Sequence, residues 1–185
     1  MKAAIVVAHP DDETLFGAGW MLKNPDDEFT VICCSVPRRD PIRLTQFKSA
    51  IGILRASHFV VLNSPDRGGK RPLDLSHLES DELNGFDYIV THNELGEYGN
   101  PHHVQVHKHV KENFSGSIYC FGYALQSAYQ WFTLSKEEAA TKLRALQCYD
   151  FATAVDKKPK WEALIDRYFE KSTEKLSEET YVRLR

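Results

Sequence analysis

The sequence predicts an α/β protein with a Rossmann-like, mostly parallel β-sheet of five or more strands and helices on both faces. Short apolar runs recur along the chain, and four of the five are followed by a helical pattern, which implies right-handed crossovers between parallel strands. The first run, Lys2–Val7, is Ala, Ile and Val after its first residue, the pattern of a strand buried on both faces. With 185 residues and 42% hydrophobic content, the chain suits one compact domain over residues 1–185.

The first helix is predicted over residues 14–23, where apolar residues stand at near-helical spacing before an Asn-Pro pair ends the pattern. The second strand, 29–36, is another apolar run, and a loop with two prolines follows it at 37–41. The second helix, Ile42–Leu54, places its apolar residues on one face. The third strand is predicted at 58–62.

A polar segment rich in glycine and arginine, 63–72, precedes a short helix predicted at 73–83. The fourth strand, 86–90, leads into a second polar segment and then into a helix over 103–113, in which valines recur at helical spacing. The fifth strand is predicted at 117–123.

The C-terminal third is less regular. Helices are predicted at Lys136–Gln147 and at 161–169, and the mostly charged residues that follow predict a solvated or fraying helix towards Arg185. The cysteines form no Cys-x-x-Cys pair, and most of them fall inside predicted strands, so we expect reduced, structural thiols. They are Cys33, Cys34, Cys120 and Cys148.

The charge balance excludes several classes of protein. A formal net charge of -3 offers no basic stripe for nucleic acid. No run approaches the roughly 18 apolar residues of a membrane span, and the N-terminus lacks the pattern of a secretory signal. We therefore expect a cytoplasmic protein. The sequence does not indicate its oligomeric state.

The segment AHPDDE (8–13) follows the first strand directly and places one imidazole beside three carboxylates. Ligands bind at the carboxyl ends of strands in open α/β sheets, and adjacent carboxylates repel unless a metal or a proton compensates them. His9 and Asp12 are common zinc ligand types. Alternatively, Asp11 or Asp12 caps the first helix and Glu13 is favoured by its dipole, but capping does not explain His9.

A third ligand is expected from the polar segment 91–103, which follows the fourth strand. The commonest doubly wound arrangements place strands one and four side by side, so both polar segments would meet. A third protein ligand would complete the open tetrahedral set of a catalytic zinc, and the start of the helix at 103 lies nearest to the sheet edge. The candidates are His92, His102, His103 and His107.

These segments resemble a known family. AHPDDE (8–13) is similar to the signature of the PIG-L/LmbE-like deacetylases, zinc hydrolases that remove acetyl groups from N-acetylglucosaminyl compounds and related amino sugars. GEYGNPHH (96–103) resembles the second motif of that family, which opens a helix. Weaker similarities are Arg43-x-x-Gln46 and Lys142-x-x-Ala145 with Tyr149.

The resemblance implies a site and a reaction. His9, Asp12 and His103 become the ligands of one Zn²⁺ per chain, with other divalent metals as alternatives, and Asp11 becomes the general base. The substrate becomes a small N-acetylated amino sugar, hydrolysed to acetate and a free amine. Glu13 is expected to cap the helix or to support the ligands rather than to act in catalysis.

The chain departs from the family pattern in the second motif. Asn100 stands where the family commonly has a histidine thought to stabilise the oxyanion or supply a proton, and His102 replaces the usual acidic partner. Three accounts remain open: Asp11 carries both proton transfers, His102 or His92 takes over the missing role, or the protein is slow or inactive. The first is favoured because the Asp-zinc core is intact.

Two further residues are candidates for substrate contact. By analogy with the family, Tyr98 contacts the substrate in its tetrahedral state, or it is a surface aromatic. Arg43, with Arg38 and Arg39, binds a substrate phosphate or carboxylate, or belongs to a solvated basic turn. At the level of function, a metal-dependent amidase or esterase on a non-sugar substrate and a non-catalytic sugar-binding protein are the alternatives.

Overall fold

A β-sheet with helices on both faces forms the centre of the computed structural model, which describes residues 1–37, 42–66, 69, 71–122, 130–149, 162 and 178–183. The strands are β1 (Lys2–Val7), β2 (Glu28–Pro37), β3 (His58–Asp66), β4 (Tyr88–Thr91), β5 (Ser117–Phe121), β6 (Gln130–Thr133) and β7 (Glu178–Arg183). The helices are α1 (Asp12–Leu15), α2 (Ala18–Lys23), α3 (Ile42–Leu54), α4 (Ser80–Leu83), α5 (Gly96–Gly99), α6 (Pro101–Asn113) and α7 (Lys136–Gln147).

The strand order in the sheet is β3-β2-β1-β4-β5-β7-β6. Strands β1 to β5 pair in parallel, whereas β7 runs antiparallel to both β5 and β6. The predicted Rossmann-like, mostly parallel sheet is therefore confirmed. The first and fourth strands are neighbours, as predicted, so the segments that follow them leave the same edge of the sheet.

Each face of the sheet has its own hydrophobic core, because side chains alternate along a strand. Ala3, Ile5 and Val7 of β1 pack on one face with α1, α2, α3 and α7. Ala4 and Val6 pack on the other face with α4 and α6. The predicted buried thiols are also present, since Cys33, Cys34 and Cys120 are free and buried.

The predicted helix over 14–23 is divided into α1 and α2, and Gly17 lies between them. A Cβ atom on Gly17 would lie 3.0 Å from the carbonyl oxygen of Glu13 and 3.1 Å from Cγ2 of Ile5. The glycine therefore allows the chain to approach β1 closely. The hydroxyl of Tyr181 fills this break, since it donates to the carbonyl of Phe16 at 2.7 Å and accepts from the N–H of Trp20 at 3.2 Å.

The predicted helix at 73–83 is mostly wrong, because only α4 is helical. Distant side chains bind the backbone before it: the Gln105 amide bonds both the N–H and the carbonyl of Leu73, each at 2.8 Å, and Ser64 accepts from the N–H of Asp74 at 2.7 Å. These contacts replace the hydrogen bonds of a helix. They also leave Leu73 and Leu75 buried against the second core.

The C-terminal segment differs most from the prediction, since β7 stands where a solvated or fraying helix was expected. Pairing with β5 and β6 satisfies its backbone, and Tyr181 is fully buried. Strand β6 was not predicted. The helix predicted at 161–169 falls on residues that lie outside the described ranges, apart from residue 162. No helix in the described part of the chain is long and apolar enough to cross a membrane.

Replacing Tyr181 with Phe is expected to lower the free energy of unfolding by about 1–3 kcal/mol, because it removes the two buried hydrogen bonds that the hydroxyl makes to the carbonyl of Phe16 and the N–H of Trp20. Urea unfolding measures the change. Tyr119→Phe on β5 is the matched control, since its hydroxyl makes no hydrogen bond to the described residues. Equal unfolding free energies for both variants would contradict the role of the Tyr181 hydroxyl.

Candidate active site

His9, Asp12 and His103 come together at the carboxyl edge of the sheet. Nδ1 of His9 lies 3.2 Å from Oδ2 of Asp12 and 3.2 Å from Nε2 of His103, and the last two atoms are 3.3 Å apart. A tetrahedral ion with bonds of about 2.0–2.1 Å, as zinc makes, separates its ligands by about 3.3–3.4 Å. The three atoms therefore fit the ligand set of one such ion.

The turn between β1 and α1 positions two members of this triad. The N–H of His9 donates to Oδ2 of Asp12 at 2.8 Å, so the carboxylate faces back towards the strand. Asp11 occupies the N-cap position of α1, but its side chain makes no capping hydrogen bond. Helix capping thus does not account for the acidic residues of this turn.

Asp12 is enclosed among histidines. Burial raises its pKa, but hydrogen bonds and charge interactions with His103, His9 and His92 act more strongly, and the pKa lies well below its usual range. The environment therefore favours the ionised carboxylate, the form that binds a cation.

Glu97 orients the third member of the triad, His103, a role that was not predicted from the sequence. Its Oε2 lies 2.5 Å from Nδ1 of His103 and 2.8 Å from Nδ1 of His92, and its Oε1 accepts from the N–H of Asn93 at 2.8 Å. Burial raises the pKa of Glu97, but the opposing effect of His92 and His103 is larger, and the pKa is lowered from 4.5 to about 2. The place of Glu97 in the motif GEYG, six residues before His103, is the pattern that could have revealed it, because metal-binding histidines usually donate to a carboxylate.

The remaining candidate histidines lie behind the triad. Nε2 of His92 accepts from the N–H of Ala8 at 2.9 Å, so the ring carries its proton on Nδ1 and donates it to Glu97. The ring of His92 stacks on His103 with centroids 3.8 Å apart. Nδ1 of His107 donates to the carbonyl of His92 at 2.9 Å. Both rings therefore support the site without adding a ligand atom to the triad.

Asp11 is held by Arg43. Nη1 of the guanidinium donates to Oδ2 of Asp11 at 2.7 Å and to the carbonyl of Pro10 at 2.8 Å. The backbone of Asp11 has φ 133°, outside the common regions for a non-glycine residue. Arg43 therefore orients the Asp11 carboxylate, a contact that was not predicted from the sequence. Arg38 and Arg39 lie outside the described residues.

Glu13 supports the same turn from the interior. Its Oε2 accepts from the N–H of Asp11 at 3.0 Å, and its Oε1 accepts from the hydroxyls of Thr14 at 2.6 Å and Tyr149 at 2.5 Å. Burial raises the pKa of Glu13 to about 7, in opposition to these hydrogen bonds. The side chain is fully buried, so it stabilises the loop rather than facing a substrate.

Asn100 and His102, the two residues of the second motif that depart from the family pattern, lie at the start of α6. Oδ1 of Asn100 accepts from the N–H of His102 at 2.9 Å and so caps the helix, and Nδ2 of Asn100 donates to the hydroxyl of Tyr98 at 3.3 Å. Tyr98 is 46% exposed, and its ring centroid lies 5.2 Å from that of His103. His102 is buried beside His9.

The fold and the site together define an α/β protein with a candidate metal centre of the hydrolase type. Residues 4–114 match the model of the PIG-L family, described as GlcNAc-PI de-N-acetylase, over more than half of the chain. The chain belongs to this family, and the resemblance inferred from the two motifs is confirmed.

Individual relatives are distant. An uncharacterised protein, L374 of Acanthamoeba polyphaga mimivirus, is 22% identical over 151 residues, which are 72% of this chain and 67% of that protein. The 4-carboxy-2-hydroxymuconate hydratase GalB of Pseudomonas putida superposes with a TM-score of 0.71 at 16% identity over 100% of this chain and 97% of that one. The N,N'-diacetylchitobiose deacetylase of Pyrococcus horikoshii superposes with a TM-score of 0.71 at 16% identity, covering 99% of this chain and 83% of that one.

A deacetylase of teicoplanin biosynthesis superposes with a TM-score of 0.67 at 12% identity, covering 99% of this chain and 98% of that one. At these identities the likeness to solved structures establishes the fold alone. Together with the family match, the deacetylases among them support a hydrolase that acts on amides, a deacetylase.

Replacing Glu97 with Gln is expected to lower the free energy of unfolding at neutral pH, because the ionised carboxylate holds both His92 and His103. Its pKa falls from 4.5 to about 2 on folding. The contribution, about 3 kcal/mol, is therefore present above pH 4.5 and is lost as the pH falls towards 2. Urea unfolding of the metal-free protein at pH 7, 5 and 3 measures the difference between wild type and variant.

Glu94→Gln, at an exposed carboxylate of the same loop, is the control and should change little at any pH. A gap between wild type and Glu97→Gln that is as large at pH 3 as at pH 7 would show that the charge of Glu97 is not its source.

Proposed function

We propose that the protein is a zinc-dependent N-deacetylase that hydrolyses the acetamide of an N-acetylated amino sugar to a free amine and acetate. The single observation that carries this proposal is the triangle formed by ligand atoms of His9, Asp12 and His103, with the Asp11 carboxylate adjoining it in the chain. Membership of a family described as GlcNAc-PI de-N-acetylase supports the amino-sugar substrate.

The three residues of the triangle would hold one Zn²⁺ per chain. Zinc, when bound, polarises a carbonyl and lowers the pKa of a bound water to about 7. Glu97 fixes His103 by its contact with Nδ1, which leaves Nε2 facing the triangle. A structure of one relative is described as the zinc-inhibited form of the teicoplanin deacetylase Orf2, so assays of this protein should compare stoichiometric with excess zinc.

Asp11 serves as the proton carrier of the proposed reaction. Its carboxylate takes a proton from water as the water oxygen adds to the acetamide carbon, and it returns that proton to the amine nitrogen as the C–N bond breaks. Arg43 holds the carboxylate in place through the ion pair at 2.7 Å. Water and amide thus yield acetic acid and amine, which become acetate and the ammonium form by exchange of one proton, and no further reactant is needed.

The contacts of the neighbouring groups favour the account in which Asp11 carries both proton transfers. His102 is engaged by His9 and by a backbone carbonyl, and His92 by Glu97 and a backbone N–H. Asn100 caps α6 with its oxygen, and an amide does not exchange protons at neutral pH. Its Nδ2 and the Tyr98 hydroxyl remain candidates for contact with the substrate.

A second candidate is a metal-dependent hydrolase with a non-sugar substrate. The hydratase GalB, whose reaction is not a deacetylation, superposes as well as the chitobiose deacetylase does, so this fold serves more than one chemistry. A panel of N-acetylated amino sugars, simple amides and esters, assayed for released acid, separates the two candidates. Turnover confined to the simple substrates would favour the second, and binding of sugars without turnover would favour a non-catalytic protein.

Replacing Asp11 with Asn is expected to lower kcat for acetate release by about 10²–10⁴-fold while zinc remains bound, because the amide cannot carry the proton. Metal content by mass spectrometry and acetate release from N-acetylated amino sugars check the two parts. Asp26→Asn, at an exposed aspartate, is the control and should retain full activity. Full activity of Asp11→Asn would overturn the assigned mechanism, and a wild-type protein that binds no metal would overturn the zinc dependence.

A further inference from the structure

We propose that His102 is a positioning residue for the metal ligand His9. In this arrangement Nδ1 of His102 accepts the Nε2–H of His9, and the Nε2–H of His102 is held by the carbonyl of Arg71. This inference rests on the metal site of the proposed function, and it concerns a residue whose role the family motifs do not supply, because His102 replaces the usual acidic residue.

The proton positions follow from the contacts. Nε2 of His102 lies 2.9 Å from the carbonyl oxygen of Arg71, and a carbonyl can only accept, so this nitrogen carries a hydrogen. In the neutral ring Nδ1 of His102 then has a lone pair, and it lies 3.1 Å from Nε2 of His9. The contact therefore needs a hydrogen on Nε2 of His9.

The same tautomer of His9 is the one that a metal requires. Nδ1 of His9 faces Asp12 and His103, so an ion bound there leaves the ring hydrogen on Nε2. The side chains of His9 and His102 are only 14% and 2% exposed, so water contributes little to satisfying this hydrogen. His102 is in place to accept it and to hold the ring of His9 at the angle that binding needs.

Both histidine ligands thus have a dedicated acceptor, but the two acceptors differ in charge. Nδ1 of His103 donates to the carboxylate of Glu97, whereas Nε2 of His9 donates to a neutral imidazole. Loss of such an outer partner typically weakens metal binding by about 10–100-fold. The capping contact from Asn100 to the N–H of His102 places that imidazole in the first turn of α6, next to His103.

A second cation is the competing use of the same atoms, since Nε2 of His9, Nδ1 of His102 and Oδ1 of Asp66 lie within 4.8 Å of one another. Oδ1 of Asp66 is 3.8 Å from Nδ1 of His102, which exceeds the separation of about 3.3–3.4 Å between ligands of a tetrahedral zinc. An ion on Nε2 of His9 would also have to displace the last ring hydrogen of an imidazole already bound through Nδ1. The hydrogen bond is the better use of this geometry.

Three substitutions at position 102 distinguish the loss of the hydrogen-bond acceptor Nδ1 from the loss of side-chain volume. His102→Leu removes both hydrogen bonds, and His102→Gln keeps a polar atom near Arg71 but none at the Nδ1 position. His102→Asn keeps an oxygen at the Nδ1 position. Zinc affinity by competition with a chelator should fall about 10–100-fold in the Leu and Gln variants and stay near the wild-type value in Asn.

The visible spectrum of the Co²⁺-loaded proteins provides a second readout, in which His102→Leu and His102→Gln should shift the d–d bands and His102→Asn should not. Circular dichroism and thermal melting of the metal-free variants verify that each is folded. His109→Leu is the matched control on α6, because His109 also contacts a backbone carbonyl, that of Leu78 at 2.5 Å, but lies away from the triad. It should lose stability without losing metal affinity.

The outcomes distinguish this inference from the proposed function. A wild-type protein that binds no metal overturns the zinc-dependent function itself. If the wild type binds zinc and the folded His102→Leu variant binds it with the same affinity, only the role of His102 is overturned. The same holds if His102→Asn binds zinc as weakly as His102→Leu. Two ions per wild-type chain, with one lost in His102→Leu, overturns it in favour of a second cation site.

Discussion

The candidate site depends on the pairing of β1 with β4. These strands meet where the strand order reverses, so the two polar turns that follow them open at the same edge of the sheet. Side chains secure this junction: Thr91 donates its hydroxyl to the carbonyl of Val6 at 2.8 Å, and His92 accepts the N–H of Ala8 at 2.9 Å. Because those contacts continue the sheet into the turns, His9 and His103 meet although 94 positions separate them in the chain.

This junction makes the burial of charge tolerable. An isolated buried carboxylate costs several kcal/mol, and Asp12 and Glu97 are both almost completely enclosed. Glu97 recovers part of that cost by accepting from two histidines and a backbone N–H, and Asp12 does so by accepting the backbone N–H of His9 at 2.8 Å. The carboxylates are thereby fixed before any ligand arrives, so an ion that binds the triad need not reorganise it.

Features set by local pattern could be predicted from the sequence, and features set by distant partners could not. The unbroken apolar run of β1 and the polar turn after it sufficed to predict a parallel sheet and a cluster at its edge. The role of Glu97 escaped prediction because it requires the unusual φ of 57° that directs its carboxylate at two histidines. Residues 73–79 were wrongly assigned to a helix because Gln105 and Ser64, which are distant in the sequence, bind the backbone of Leu73 and Asp74. Strand β7 was missed because its strand-forming residues, Thr180, Tyr181 and Val182, are flanked by charged residues that are typical of a solvated helix.

The charge balance at the site explains why a neutral residue at position 102 is compatible with metal binding. Asp11 and Arg43 form an ion pair at 2.7 Å, so their charges cancel. Asp12 and Glu97 then supply two negative charges in contact with the histidines of the triad. A carboxylate at position 102 would add an excess negative charge beside His9, close to Asp66, whose Oδ1 lies 3.8 Å from Nδ1 of His102. That charge would favour the cation but would make a proton harder to remove from water at the site. His102 supplies the acceptor that His9 needs without that excess charge, so orientation and charge are controlled by different residues.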